Sequence, residues 1–338
     1  MSYAATLGLE EEFFALEAGR NCPTLQSMDY LRRFVWSNVK ANLPHSASNF
    51  AKADDRKECF MGSIELSTGK HEEPDDLVKD LIWRRTCFAK SAVHCLIVPT
   101  GALFHLSSPT NTACSHIHVG VRAEHRERVY RNLCYFAPLL AVYAANSPFA
   151  GGKPFGLSYR MAQEGLLGSL NQDPQYRFQD VIISKRLGTI EMRIFDPIPE
   201  VERLLVILSS VKKIAEWEGE SGLDIEVYNA SRKKWVCGEY DEWFQQMQEA
   251  AKQLDLNPAL FGGQPLSDQL SKMATQSGID AAYSFLDELW RKPTGIVAEP
   301  KPYSSFKMAA GLAGYYVPRL PLIAYKGYME WYGKNGFK

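Results

Sequence analysis

The sequence predicts an α+β protein, in which a largely antiparallel, curved sheet has one polar face and carries helices packed on the other face. Two observations lead to this class. Strand-like and helix-like stretches are intermixed along the 338 residues, and three strand-like stretches are polar on one side only. Strands of this kind belong to a sheet that covers the core with one face and leaves the other face open.

Each of these three stretches places two polar side chains at positions i and i+2, which lie on the same face of a strand. The opposite face carries apolar residues such as Leu9 and Ile117, and Glu11 falls on that alternate face. Charge is costly to bury unless it is paired or bound to a metal. The polar face therefore predicts a site that holds cations and anions together, as a metal–nucleotide enzyme must. The pairs are Glu10 with Glu12, His116 with His118, and Glu191 with Arg193.

The N-terminal part is predicted to contain two strands and a helix. Residues 7–14 predict the first strand, and residues 61–67 predict the second because apolar Ile64 and Leu66 alternate with polar neighbours. A helix follows from Pro74, since acidic residues occupy its first turn and apolar residues then recur at helical spacing.

The middle of the chain predicts two further strands, a helix and a loop. Residues 97–106 predict a strand interrupted by a proline and a glycine, and residues 113–121 predict the strand with the histidines. Residues 124–145 have an apolar stripe of helical period, in which Pro138 is expected to kink the helix. The Gly- and Pro-rich residues 146–159 predict a loop.

The C-terminal part begins with a strand over residues 188–196, which carries the third polar pair. A helix is predicted after the Pro-Ile-Pro interruption, and further helices near 241–255 and 279–290. The tail has no clear period. We predict that residues 1–292 form a single catalytic domain and that residues 293–338, an aromatic and Pro-rich segment, pack on it.

Composition excludes several classes of function. The formal net charge is −1 and there is no long Lys/Arg run, so neither nucleic acid nor membrane is expected as a partner. No stretch of about 20 apolar residues and no signal peptide are evident, which predicts a soluble, cytoplasmic protein. The seven cysteines form no C-x-x-C pair, which favours reduced thiols in a reducing compartment.

The polar pairs suggest specific ligands. Carboxylates such as Glu10 and Glu12 suit Mg²⁺, although a solvated polar strand would look similar. Arg193 suits a phosphate clamp beside Glu191, although the two could be a surface ion pair. Three basic residues flank the site in sequence and are candidate ligands of phosphate or of a substrate carboxylate, although each could equally be a solvated surface residue: Arg160, Lys185 and Arg186. Glu58 is a weaker metal candidate, because its local pattern is unclear.

Two local motifs have alternative interpretations. The spacing Cys114, His116, His118 is compatible with zinc, whereas isolated histidines more often serve as structural hydrogen-bonding groups. The neighbouring carboxylates favour a Mg²⁺ role for one histidine and a phosphate contact for the other. Residues 67–71, Ser-Thr-Gly-Lys-His, are faintly similar to a P-loop, but the glycine spacing fails and His71 replaces the required hydroxyl residue.

The chain resembles the bacterial type 2 glutamate–cysteine ligase family, also called carboxylate–amine ligases. The resemblance extends over roughly residues 5–235, and it thins after Pro199. Cys114 and Ser115 stand where the family often has Gly and Leu, so the amine acceptor can differ from cysteine. Five stretches in order carry the resemblance: Leu7 to Phe14, Ile64 to Gly69, His116 to Val121, Asn146 to Phe149 with Ser158 to Arg160, and Thr189 to Arg193.

The resemblance implies a glutamine-synthetase-like catalytic domain and an ATP-dependent ligase that uses two or more Mg²⁺ ions, with Mn²⁺ as a possible substitute. Its substrates would be a small carboxylate, expected to be L-glutamate, and an amine, and the protein would form a homo-oligomer such as a dimer. Glu65, Arg160 and Arg193 would be catalytic. His118, Arg160 and Arg193 would contact nucleotide or acyl phosphate, and Lys185, which flanks the site in sequence, is a further candidate for binding the nucleotide. The implied metal ligands are Glu10, Glu12, Glu65, His116 and Glu191.

Three other functions remain open at this stage. A related sheet could serve a guanidino-type phosphotransferase. A zinc-dependent hydrolase could be built on Cys114, His116 and His118. The chain could also be a catalytically silent binding or regulatory relative, although the costly polar clusters argue against this.

Overall fold

The computed structural model describes residues 4–17, 23–47, 61–107, 111–163, 165, 167–168, 179–184 and 187–335. The strands are β1 Thr6–Leu16, β2 His45–Ala47, β3 Ile64–Ser67, β4 Leu96–Val98, β5 Ser115–Gly120, β6 Phe149–Ala150, β7 Lys153–Pro154, β8 Val181–Ile183 and β9 Ile190–Phe195. The helices are α1 Gln26–Ser37, α2 Pro74–Ser91, α3 Arg126–Ala144, α4 Tyr159–Gln163, α5 Val201–Glu216, α6 Ile225–Trp235, α7 Glu242–Gln253, α8 Ala259–Gly262, α9 Leu266–Ser277, α10 Ile279–Arg291, α11 Ser305–Tyr316 and α12 Leu320–Asn335.

Seven strands form one antiparallel sheet. Its order is β2-β3-β1-β5-β9-β8, and β4 pairs with the C-terminal end of β1. Helices and an antiparallel sheet therefore share one unit, and the predicted α+β class is confirmed. The long strand β1 lies at the centre, so it contacts both β3 and β5 and links the two halves of the polar face.

The apolar face of the sheet lies on the core. Leu9, Ile117 and Met192 are at most 2% exposed, and helices α2, α3 and α5 cover this side. The predicted helix from Pro74 forms because proline suits the first helical turn and two aspartates follow it there. Burying one large apolar side chain stabilises the fold by roughly 1.5–3 kcal/mol, so this face anchors the sheet.

The predicted strand over 97–106 is wrong beyond Val98. Pro99 has no N–H to donate to a ladder, and the chain turns back at Thr100, whose N–H donates to the carbonyl of Val98. The predicted loop over 146–159 contains the short β6–β7 hairpin and the start of α4. Its turn uses Gly151 and Gly152, both at positive φ, where a side chain would be strained.

The tail is helical, although its sequence shows no clear period. Helix α11 packs along α1, at a distance that only glycine permits. A Cβ on Gly311 would lie 2.5 Å from the Cα of Asp29. The division into residues 1–292 and 293–338 stays a prediction. Across the described ranges, none of the helices has both the length and the apolar content needed to cross a bilayer.

Candidate active site

The strand register brings the predicted polar residues together from four strands. Glu10 of β1 lies opposite His116 of β5, and Glu12 lies opposite Glu65 of β3. On the other side of β5, His118 lies opposite Glu191 of β9. Side-chain alternation then places all of these groups on the face away from the core. The sheet therefore brings together the residues that the i, i+2 pattern selects, and their roles stay a prediction.

Glu10 is at the centre of the cluster. Its Oε2 lies 3.2 Å from His116 Nδ1 and 3.5 Å from His118 Nε2. Burial acts to raise the pKa of Glu10, but the hydrogen bond with His116, the close contact with His118 and the charges of both histidines outweigh burial and lower it. Glu10 is therefore a carboxylate at neutral pH.

Glu10, His118 and Glu191 each present a ligand atom within 4.8 Å of the others. His118 is 8% exposed, and its Nε2 is buried without a hydrogen-bond partner, while Nδ1 lies 3.1 Å from Thr189 Oγ1. His116 Nδ1 borders the same group, 3.8 Å from Glu191 Oε1. A divalent cation would give the buried His118 Nε2 a partner, so these donors fit one.

A second pair of carboxylates, Glu12 and Glu65, extends the cluster toward β3. Burial and, to a smaller extent, the charges of Glu10 and Glu12 raise the pKa of Glu65 to about 7. A hydrogen bond from Ser67 Oγ, at 3.2 Å, acts in the opposite direction but is outweighed. Crowded carboxylates of this kind repel one another unless cations lie between them. Most donors in the cluster are carboxylate oxygens, which are the ligands that Mg²⁺ prefers.

Cys114 lies at the inner edge of the cluster. Its Sγ lies 2.7 Å from His116 Nε2 and 3.0 Å from Glu12 Oε2, and its backbone N–H donates to the same oxygen at 3.0 Å. Burial and the charge of Glu12 raise the pKa of this thiol well above its usual value. The predicted zinc trio is not gathered as one group, because His118 turns toward Glu10 and Thr189.

The two predicted arginines are placed differently. Arg193 forms an ion pair with Glu191 Oε1 at the edge of the cluster, and its side chain is 28% exposed. Arg160 is buried behind β9, and its guanidinium donates to three strand carbonyls: those of Ile194 at 2.9 Å, Phe195 at 3.2 Å and Arg193 at 2.7 Å. The predicted phosphate contact of Arg160 stays a prediction. In the structure, the hydrogen bonds of Arg160 stabilise the strand that carries Arg193.

The resembling stretch at Asn146 forms a buried network behind the sheet. The Asn146 side chain donates to the carbonyls of Pro99 at 2.8 Å and Pro197 at 2.6 Å. Its backbone N–H and the hydroxyl of Ser147 donate to Asp196 Oδ2, at 2.9 and 2.8 Å. This network fixes the turn after β9. Lys185, Arg186 and Glu58 lie outside the described residues.

A cavity of about 290 Å³ adjoins the cluster, with Glu10 and His118 in its wall. Sequence reasoning missed two of its polar residues, Lys70 and Thr189. Thr189 had a usable signal, because it stands two residues before Glu191 and so shares its face. Lys70 follows β3 in the stretch that was compared with a P-loop. The remaining wall is formed by residues 6–9 and 67–69, Gly120 and Leu187.

Comparisons with known proteins support the fold. No protein-family model and no curated protein matches the sequence. The crystal structure of a bifunctional glutathione synthetase from Pasteurella multocida overlays with a TM-score of 0.56 at 12% identity, covering 86% of this chain and 51% of that chain. The chain thus spans about half the length of that protein, and the likeness shows a shared fold.

Two further structures overlay less closely and add nothing to the fold assignment. A glutamate–cysteine ligase from Francisella tularensis in complex with AMP has a TM-score of 0.46 at 11% identity, covering 94% of each chain. The complex of the ubiquitin-like protein Pup with its ligase PafA also has a TM-score of 0.46, at 10% identity, covering 96% of this chain and 84% of that chain.

Proposed function

We propose that this protein is an ATP-dependent carboxylate–amine ligase that forms an amide through an acyl phosphate. One observation supports this most strongly: four carboxylates, two imidazoles and an arginine meet on one sheet face beside a cavity. Such a face can hold the cations and the phosphates of a metal–nucleotide substrate together. The likeness to part of a protein named as a glutathione synthetase is consistent with this proposal.

The proposed reaction explains why both charge signs are needed. A carboxylate is a poor electrophile because its oxygen is a poor leaving group, so ATP first converts it to an acyl phosphate. An amine then attacks the acyl carbon, which releases phosphate and forms the amide. Divalent cations, when bound, neutralise the transferred phosphoryl group and hold it in line.

Each residue has a proposed role in this scheme. Arg193, already beside Glu191, would steady negative charge that develops on the phosphoryl group, since arginine binds anionic oxygens in a fixed geometry. Arg160 would position Arg193 by bracing the β9 carbonyls. Lys70 and Thr189 would line the nucleotide or substrate cavity. The Mg²⁺ ligands would be Glu10, Glu12, Glu65, His116, His118 and Glu191.

We further propose L-glutamate as the carboxylate donor, so that the product is a γ-glutamyl amide. This rests on the five stretches that resemble glutamate–cysteine ligases, and the amine acceptor is left to experiment. A homo-oligomer such as a dimer, located in the cytoplasm, remains part of the same proposal.

The test is ADP release with ATP, Mg²⁺ and L-glutamate, with and without L-cysteine and a panel of other amines. Amine-stimulated ADP release with an equimolar amide, identified by mass, is the expected result. A phosphorylated product without amide would instead identify a phosphotransferase. If no pair releases ADP, glutamate is not the donor or the protein is not a ligase, and zinc analysis would then address the hydrolase alternative.

The metal assignment is tested by Glu191→Gln, which keeps the size of the side chain and removes its charge. We expect a loss of at least about a hundredfold in ADP release, because charge neutralisation by bound metal is worth several kcal/mol. Glu249→Gln, whose side chain is 65% exposed on α7, is the matched control and should retain full activity. Full activity in Glu191→Gln would contradict the assignment.

A further inference from the structure

A second donor cluster lies beside the proposed magnesium cluster and is chemically different from it. Cys114 Sγ lies 2.7 Å from His116 Nε2 and 3.0 Å from Glu12 Oε2, so sulfur, nitrogen and oxygen donors converge. Cys114 is 7% exposed and His116 is 4% exposed. Because the proposed ligase chemistry uses only hard oxygen and imidazole ligands, it gives no role to the thiol.

His116 connects the two clusters. Its Nδ1 lies 3.2 Å from Glu10, in the magnesium cluster, while its Nε2 faces the thiol. Glu12 is likewise shared, since it lies opposite Glu65 in the sheet and contacts Cys114. The same region holds the unpartnered, buried Nε2 of His118, 3.5 Å from Glu10. A cation bound to Cys114 through His116 Nε2 and Glu12 would therefore occupy two ligands of the first cluster.

The donor set selects the kind of metal. Thiolate and imidazole suit zinc and other softer divalent cations, whereas Mg²⁺ prefers oxygen ligands. Bonds of about 2.3 Å to sulfur and about 2.0–2.1 Å to nitrogen place tetrahedral zinc ligands about 3.5 Å apart. Cys114 Sγ is already closer than this to His116 Nε2 and to Glu12 Oε2, so zinc binding requires these two side chains to move slightly away from the sulfur.

We propose that Cys114, His116 and Glu12 form a zinc site of their own, and that zinc bound there inhibits the enzyme by removing His116 and Glu12 from the magnesium cluster. Zinc forms a bond to the sulfur as the S–H bond breaks, and the thiol proton leaves to solvent. The binding site stands without the proposed function, whereas the inhibition rests on it.

The binding site is tested with Co²⁺ as a spectroscopic substitute for zinc, added to the metal-free full-length protein. We expect a thiolate-to-cobalt charge-transfer absorption that saturates at one Co²⁺ per chain. Cys114→Ser should abolish this absorption, whereas Cys237→Ser, which changes an exposed cysteine elsewhere, should keep it. An unchanged absorption in Cys114→Ser, or bound Co²⁺ without any such absorption in the wild-type protein, would overturn the site.

A second measurement requires no variant and so does not depend on the folding of Cys114→Ser. X-ray absorption by zinc bound to the wild-type protein should show one sulfur neighbour at about 2.3 Å. A zinc environment of nitrogen and oxygen alone would contradict the proposal. Zinc affinity measured by chelator competition should fall by at least about tenfold in Cys114→Ser, since even changes outside the ligand shell cost about 10–100-fold.

The inhibition is tested in the ligase assay at constant Mg²⁺. Zinc should lower ADP release by the wild-type protein and should lower it much less in Cys114→Ser, with Cys237→Ser behaving as wild type. Equal inhibition of all three proteins would refute the inhibitory role while leaving the cobalt result intact. A protein that shows the cobalt absorption but has no ligase activity would retain the zinc site and lose the proposed function.

Discussion

Glu11 and Arg85 form an ion pair in which neither side chain is more than 1% exposed. The Arg85 guanidinium also donates to the carbonyls of Ile198 and Pro199, at 2.9 and 2.8 Å, and Glu11 accepts from Trp290 Nε1 at 3.1 Å. Glu11 thus has a structural role on the core face, between Glu10 and Glu12 on the open face. Three consecutive glutamates of β1 thus have different roles: Glu11 stabilises the core, whereas Glu10 and Glu12 belong to the candidate site.

We expect Arg85→Met to destabilise the protein by about 3–5 kcal/mol, because it leaves the Glu11 charge buried without a partner. Urea denaturation measures this change in the free energy of unfolding. Lys90→Met, on the exposed side of the same helix, is the control and should change stability by less than about 0.5 kcal/mol. Equal effects of the two substitutions would show that the ion pair does not stabilise the core.

Arg160 and Arg193 should separate stability from activity. Lysine cannot reproduce the three carbonyl contacts of Arg160, so Arg160→Lys should lower the free energy of unfolding by about 1–3 kcal/mol. Arg193→Lys should change the free energy of unfolding by less than about 0.5 kcal/mol. It should lower kcat at least tenfold, which corresponds to a loss of about 1.4 kcal/mol of transition-state stabilisation from the phosphate contact. If Arg160→Lys instead raises the KM for ATP at unchanged stability, Arg160 contacts the nucleotide.

Glu65 should make the stability of the metal-free protein depend on pH. Its pKa rises from 4.5 to about 7 on folding, so the folded protein holds this proton more tightly than the unfolded chain. The free energy of unfolding should therefore fall as pH rises from about 4.5 to about 7, and the loss should be complete above that range. Urea denaturation in the presence of a chelator, at a series of pH values, measures this.

Glu65→Gln should flatten that pH dependence, because glutamine has no proton to lose, while Glu249→Gln should keep the wild-type slope. Added Mg²⁺ should also reduce the slope in the wild-type protein, since a cation favours the ionised carboxylate. An unchanged slope in Glu65→Gln would show that the other carboxylates of the cluster, and not Glu65, bind the proton.

The alternation of residues along each strand was sufficient to find the polar face, because it is a local property. It placed Glu10, Glu12 and Glu191 on one face and Glu11 on the other, as the sheet has them. The pairing of particular residues was not local. The thiol contact of His116 Nε2 depends on side-chain rotation, and Arg85 reaches Glu11 from a helix 74 positions away in sequence.

The C-terminal helices α11 and α12 could not be predicted from the sequence. Helix α11 has no clear apolar stripe, because its contact with α1 is made partly by glycine, and glycine weakens the periodic apolar pattern that predicts a helix. Gly311 allows the backbones to approach, whereas Gly314 faces the side chain of Arg32, whose Cδ would lie 2.4 Å from an added Cβ. The same residue type therefore has two different environments on one helix.

This difference gives a matched pair of substitutions. Gly311→Ala should destabilise the docking of α11, because the added Cβ would lie 2.5 Å from the Cα of Asp29 and only a backbone shift can relieve that contact. Gly314→Ala should destabilise this docking less than Gly311→Ala, since the added Cβ would meet a side chain, Arg32, which can shift more easily than backbone, and alanine favours helix. Limited proteolysis of residues 293–304 measures docking: cleavage should be faster in Gly311→Ala than in Gly314→Ala, and equal rates would contradict the close α1–α11 contact.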